Sequence, residues 1–211
     1  MLNNFSPNML KTYETCPKKF YFQYIEGLNV PKSLKPFEKG KKIHALANYY
    51  LRGTETSKLE TSLTVSEMEL WERLKQNSYY QKEYLKSEFS LSCRIDKYWI
   101  GGRIDAIVHE DDNYYILDYK TGSIPKNPEF DYQTMVYLLC LDKYLKNYNS
   151  LSFVYINLKE NKDQVIEFSP KNRTQYQEKI SSICEKISQD RVYRCNNQNC
   201  KYCEFSKICN I

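Results

Sequence analysis

The 211-residue chain lacks any stretch of about 20 consecutive apolar residues, so no transmembrane helix is expected. Its beginning, MLNNFSPNMLK, lacks the basic stretch and apolar run of a secretory signal peptide. The expected location is therefore the reducing cytoplasm, with no membrane partner. In that compartment a disulfide framework is the less favoured reading of the eight cysteines. Internal repeats and low-complexity segments are missing too, and the length suits one large domain, or one domain with a small appendage. No recognition-helix motif is present, which argues against base-specific reading of a nucleic acid. A second C-x₂-C pair is also missing, which argues against a zinc ribbon.

What is present is a chain with 41% hydrophobic residues, enough for a sizeable core. The formal net charge of +5 hints at a polyanionic partner. The 20 tyrosines can stack on bases, although most should be half-buried packing residues. Ser6-Pro7 and Ser169-Pro170 each combine a cap with proline at the first helical position. The first helix breaks at Cys16-Pro17, "KKFYFQYIEGL" resumes it, and "VPKSLKP" reads as a loop. Helices follow over Phe37–Leu51, ending at Gly53, and about Val65–Asn77. Strands are expected over Glu88–Ile95, Tyr98–His109 and Tyr114–Thr121, then a strongly apolar helix over Asp131–Leu145. Strands over Leu151–Leu158 and Gln164–Phe168 precede a last helix, whose Ile180, Ile183, Cys184 and Ile187 share a face. This order predicts an α/β core, with residues 1–80 mainly helical, 81–190 forming the core and 191–211 a cysteine-rich tail.

The segment GGRIDAIVHEDDNYYILDYKTG, Gly101 to Gly122, reads as a β-hairpin around Asp111-Asp112. Charged groups inside its strands are costly unless they pair or bind something. Residues two apart share a face, so Asp118 and Lys120 point the same way. With a two-residue turn, residues whose numbers sum to 223 face each other, which sets Asp105 opposite Asp118 with Cβ atoms about 4.5–5.5 Å apart. Two carboxylates that close repel unless a cation lies between them, and Mg²⁺ or Mn²⁺ suits oxygen ligands. Lys120 could then stabilise charge on a phosphoryl group or orient a water. The alternative is a structural Asp–Lys ion pair. His44 lies between apolar neighbours, His109 reads as surface, and Glu88 reads as a solvated edge residue.

The tail CNNQNCKYCEFSKIC carries Cys195, Cys200, Cys203 and Cys209 in the pattern C-x₄-C-x₂-C-x₅-C. Both zinc and iron–sulfur sites use C-x₂-C. Cys16, at a helix break, is free of core packing, whereas Cys93, Cys140 and Cys184 read as small buried hydrophobes. Spacing leaves open whether Cys16 or Cys195 completes a four-sulfur set.

"GGRIDAI … ILDYKTG" resembles the core of the PD-(D/E)XK nuclease superfamily in its RecB-like branch, with Ile104 where the superfamily name has proline. The resemblance implies a restriction-endonuclease-like fold, a mixed sheet flanked by helices. It implies that Asp105 and Asp118 hold the metal and that Lys120 is catalytic. Gly40 and His44 resemble the G-x-x-x-H motif, whose histidine is a metal ligand, and the Tyr119 carbonyl is a further candidate ligand. Gln133 and Tyr137 resemble the Q-x-x-x-Y motif and are expected to support the lysine or touch DNA. Iron–sulfur members, such as the AddB nuclease and CRISPR-associated RecB-like nucleases, pair one early cysteine with a C-terminal C-x₂-C-x₅-C. Cys16, Cys200, Cys203 and Cys209 match, implying a 4Fe-4S cluster with Cys195 spare.

The expected function is a Mg²⁺- or Mn²⁺-dependent deoxyribonuclease, an exonuclease on DNA ends or single strands. The alternatives are a processing nuclease of a CRISPR adaptation complex, a structure-specific endonuclease and a non-catalytic DNA-binding scaffold. Protein partners in recombination or CRISPR adaptation would accompany such roles.

Overall fold

The computed structural model describes residues 2–30 and 35–209. Ser6 caps the first helix, α1 (Pro7–Thr15), its hydroxyl accepting from Met9 N at 3.3 Å. The helix stops at Cys16, which is extended (φ −162°) as residues before proline tend to be. Cys16 then caps α2 (Pro17–Phe20), which runs into a π-helical turn over Tyr21–Ile25. The expected loop VPKSLKP falls partly outside the described residues, and its last two residues already belong to α3 (Lys35–Leu51). A short α4 (Ser57–Glu60) precedes α5 (Val65–Lys75), opened by a Thr64–Glu67 capping box.

Strands β2 (Glu83–Ile95), β3 (Tyr98–Glu110) and β4 (Asn113–Lys120) form a meander. Helix α6 (Tyr132–Tyr144) is the crossover to β5 (Ser150–Asn157), which pairs parallel with β4. Strand β6 (Lys162–Glu167) returns antiparallel, and α7 (Pro170–Gln189) follows a Ser169–Asn172 capping box. The sheet order is β2-β3-β4-β5-β6, with the two-residue β1 (Asn4–Phe5) parallel to β3 at Trp99 and Ile100. β1 has no sequence signature because two residues carry no periodicity. β2 begins at Glu83 rather than Glu88. Its first residues, EYLKS, are poor in β-branched side chains, and it is the long partner β3 that holds them in the sheet across an irregularity between Tyr84 and Lys86.

Helices cover both faces of the sheet. On one face Leu10 of α1, Met135 to Leu141 of α6 and Ile180, Ile183 and Ile187 of α7 pack on Ile104, Ile116 and Phe153. On the other, Ile43 and Ala47 of α3 and Trp71 and Leu74 of α5 pack on Ala106, Leu117 and Val154. Tyr132 and Thr134 to Leu141 are all buried, since α6 lies between the sheet and α1 and α7; this is why its sequence is apolar nearly all round. No helix among the described residues is long and apolar enough to cross a membrane.

Candidate active site and cysteine pocket

The hairpin register is the one expected from a two-residue Asp111-Asp112 turn: Glu110 faces Asn113 and the pairing continues to Ala106 opposite Leu117. There the β3–β4 ladder stops. The next residues are Asp105 and Asp118, and Asp105 Oδ2 accepts from Tyr119 N at 3.2 Å in place of a strand bond. The β2–β3 ladder is interrupted at the same level. Ser87 faces Ala106 and Phe89 faces Ile104, while Glu88 between them lies at φ 48° and outside the pairing. Three carboxylates, Glu88, Asp105 and Asp118, thus stand in a row across three adjacent strands.

Each acid has a distinct setting. Asp118 is 3% exposed. Burial and the charge of Asp105 raise its pKa to about 6, against the opposing pull of Lys120. Its Oδ1 accepts from Gln133 Nε2 at 2.5 Å and from Lys120 Nζ at 3.1 Å. Its buried Oδ2 lies 2.8 Å from Lys120 Nζ but receives no aligned hydrogen bond. Lys120 also approaches Gln133 Oε1 at 3.4 Å, so Gln133 holds both the acid and the lysine. His44 on α3 brings Nδ1 to 3.2 Å from Asp105 Oδ1 and Nε2 to 3.0 Å from the Tyr119 carbonyl. Burial would lower the pKa of His44, but Asp105, Asp118 and the Tyr119 carbonyl outweigh it and raise the value. Both ring nitrogens face acceptors, so the protonated ring satisfies both.

The expected site residues Asp105, Asp118, Lys120, His44, Gln133 and the Tyr119 carbonyl therefore converge. Tyr137 does something other than expected. It is 7% exposed, and its hydroxyl donates to the Arg103 carbonyl at 2.9 Å. A Cβ at Gly102 would come within 2.8 Å of that hydroxyl, so a residue without a side chain lets the ring brace β3 just before Asp105. Gly40, the other end of the histidine motif, sits over Thr121, where a Cβ would be 3.4 Å from Oγ1. His109 is apart from the site, 3.1 Å from the Asp111 carbonyl.

Glu88 is the residue that sequence reasoning misplaces. Ligand atoms of His44, Glu88 and Asp105 all lie within 4.8 Å of one another, and Glu88 forms an ion pair with Arg103. A signal for it exists in the chain. Asp96-Lys97 is the two-residue turn between β2 and β3, and counting back from it brings Glu88 level with Asp105, between the paired Ser87–Ala106 and Phe89–Ile104. The imidazole of His44 and the carboxylates of Glu88 and Asp105 form a donor set suited to a hard divalent cation, with Asp118 next to Asp105 across the hairpin and its buried Oδ2 lacking an aligned donor. A cleft of about 560 Å³, lined by Gly40, Lys41, His44, Asn48, Glu88 and Arg103, gives access.

The chain ends meet at a second pocket, of about 220 Å³, lined by Cys16, Cys195, Cys200, Cys203 and Cys209 with Phe22 and Phe205. Lys19 N and Asn196 N each donate to Cys16 Sγ at 3.4 Å, and Lys18 N donates to the Arg194 carbonyl at 3.3 Å. Cys195, expected to be spare, is part of this group, with Sγ 3.6 Å from Cys200 Sγ and 3.8 Å from Cys209 Sγ. Five thiols around one cavity suit a thiophilic metal centre. Cys93, Cys140 and Cys184 are buried core residues, as expected.

A family model for the PD-(D/E)XK nuclease superfamily matches residues 4–210. The chain is 22% identical over 205 residues to the CRISPR-associated exonuclease Cas4 of Francisella tularensis subsp. novicida, covering 96% of this chain and 92% of that protein. It is 28% identical over 174 residues to an uncharacterized protein of Ureaplasma parvum serovar 3, covering 77% of each. The crystal structure of a proposed exonuclease from Eubacterium rectale has a similar fold, with a TM-score of 0.60 at 9% identity, covering 99% of this chain and 89% of that one.

Proposed function

The chain belongs to the PD-(D/E)XK nuclease superfamily, and from that premise we propose that it is a Mg²⁺- or Mn²⁺-dependent deoxyribonuclease acting as an exonuclease on DNA ends or single strands. The observation that carries this reading is the convergence of Asp105, Asp118 and Lys120 where β3 and β4 part. Asp105, Asp118, His44 and the Tyr119 carbonyl would hold the cation. Bound there, it would polarise the scissile phosphate and lower the pKa of an attacking water. Lys120 would position that water or offset developing charge on the phosphoryl group, while Gln133 keeps the ammonium beside Asp118. Tyr137 would act indirectly, fixing the backbone of β3. Lys41 lines the cleft and has no ion-pair partner among the described residues, so it would meet phosphate, whereas Lys19 and Lys42 are engaged by Glu204 and Glu67. Binding of this kind is insensitive to sequence and weakens with salt.

Cys16, Cys200, Cys203 and Cys209 would hold a 4Fe-4S cluster tying the chain ends around a single nuclease domain, residues 1–211. Its role would be structural, since metal binding couples to folding. The reading places the protein in the cytoplasm, with partners in recombination or in CRISPR adaptation. Processing of DNA for a CRISPR adaptation complex is the favoured second reading, because the likeness to the Francisella CRISPR-associated exonuclease runs nearly end to end. The test is cleavage of end-labelled linear, circular, single- and double-stranded DNA with Mg²⁺, Mn²⁺ or EDTA. Products released from ends, with circles spared and EDTA abolishing the reaction, support the exonuclease. Nicked circles would replace it with an endonuclease.

A further inference from the structure

Arg103 and Glu88 are neighbours of the site that the motifs do not use. Arg103 follows Gly102 on β3, its carbonyl is held by Tyr137, and its side chain is 65% exposed. It leans from the cleft mouth onto Glu88 of β2, whose side chain is 24% exposed. An acid on the solvated edge of a strand would follow the ladder. Glu88 leaves it, adopts a left-handed φ of 48°, and brings a carboxylate oxygen within 4.8 Å of ligand atoms of both Asp105 and His44. On the other flank of Asp105, the buried Asp118 Oδ2 also lacks an aligned donor. Carboxylates thus crowd the site, and Arg103 adds a positive charge beside Glu88 from the side open to solvent.

We infer that Glu88 is a further ligand of the divalent cation, and that Arg103 is a displaceable counter-ion that holds the carboxylate until a cation takes it and then turns to a DNA phosphate. This inference rests on the metal-dependent reading above. The chemistry is a ligand exchange with no redox or covalent step: a carboxylate passes from guanidinium to cation, and the guanidinium from carboxylate to phosphate. An exposed arginine is suited to that exchange, because its planar fork fits either oxyanion.

The two residues make opposite predictions for cation affinity, which a merely structural ion pair would not. Mn²⁺ binding is measured without DNA on the full chain carrying its cysteine-bound metal, by the electron paramagnetic resonance of free Mn²⁺. Glu88→Gln should weaken binding about tenfold or more. Arg103→Gln should leave it unchanged or tighten it several-fold, while weakening binding to single-stranded DNA in EDTA. Glu88→Asn, whose side chain tolerates a left-handed backbone, should repeat the Glu88→Gln result if that variant folds poorly. Equal Mn²⁺ affinity in the parent, Glu88→Gln and Glu88→Asn would overturn the inference while leaving the nuclease reading intact. So would a parallel loss in Arg103→Gln and Glu88→Gln, the mark of a structural pair. A parent that neither binds Mn²⁺ nor cleaves DNA would remove both readings together.

Discussion

The acid-lined end of the sheet and the cysteine pocket are both small sites built from a few side chains, yet they are assembled over very different stretches of chain. Glu88, Asp105 and Asp118 lie on consecutive strands joined by two-residue turns, so local register sets their alignment. Cys16 and Cys195 to Cys209 come from opposite ends, joined through contacts such as Asn196 N to Cys16 Sγ at 3.4 Å and Asn196 Nδ2 to the Thr15 carbonyl at 2.9 Å. The first site is a by-product of strand pairing and should survive loss of its own charges. The second, with metal bound, would clasp α1 and α2 to the tail. Stripping the first should therefore remove function without structure, and stripping the second should cost structure first.

The sharpest way to break that contrast is to strip each site in turn. Asp118→Asn and Lys120→Ala should each lower DNA cleavage by at least about 10²-fold, the scale of a lost transition-state stabiliser. DNA binding and the visible absorbance of the proposed iron–sulfur cluster should persist. Cys16→Ala should do the reverse at the level of the fold, with loss of bound iron and a lower melting temperature by calorimetry. Cys195→Ala should keep its iron as measured by metal analysis, because the other four cysteines remain around the cavity. Loss of iron in Cys195→Ala but not in Cys16→Ala would make the pocket a local site of the tail and dissolve the clasp.

A pH series sharpens the comparison further. The Asp118 pKa is raised from 3.8 to about 6, so between those values the folded chain holds a proton that the unfolded chain has released. Metal-free stability from this group therefore falls as pH rises through that window. His44, also raised, contributes in the same direction. A cation reverses the trend, since it binds the ionised acid and neutral imidazole. The rise in melting temperature on adding Mn²⁺ should be small at pH 5 and largest above about pH 7. A flat profile would mean that Asp118 and His44 are not ligands. The smallest effect belongs to Tyr137→Phe. Losing its hydrogen bond to the Arg103 carbonyl should cost about 1 kcal/mol in denaturant unfolding, with a modest change in cleavage.

The contrast also explains what can be read from the sequence. A two-residue turn and a period of two are enough to align Asp105, Asp118 and Lys120, because strand register is arithmetic once the turn is known. The same arithmetic at Asp96-Lys97 reaches Glu88, but only if β2 is seen to begin well before it, and EYLKS gives no such sign. The hydroxyl of Tyr137 meets β3 through a contact 34 residues apart in the chain, which helix periodicity cannot show. The family's cysteine pattern leaves Cys195 spare, yet it packs against Cys200 and Cys209, because the 3₁₀ turn over Asn197–Tyr202 folds the tail back on itself. Helix caps at Ser6 and Ser169 are legible because they depend on neighbours in sequence alone.

On the proposed function, the row of acids and Lys120 would serve chemistry, and the fold would stand without them. The most direct test compares single-turnover cleavage of end-labelled linear DNA in Mn²⁺ by the parent and by Lys120→Ala, at protein concentrations that saturate binding. The expected result is a rate lower by about 10²-fold or more with the melting temperature and bound iron unchanged. Equal rates would reduce Asp105, Asp118 and Lys120 to a structural ion-pair set and leave the nuclease fold as a scaffold.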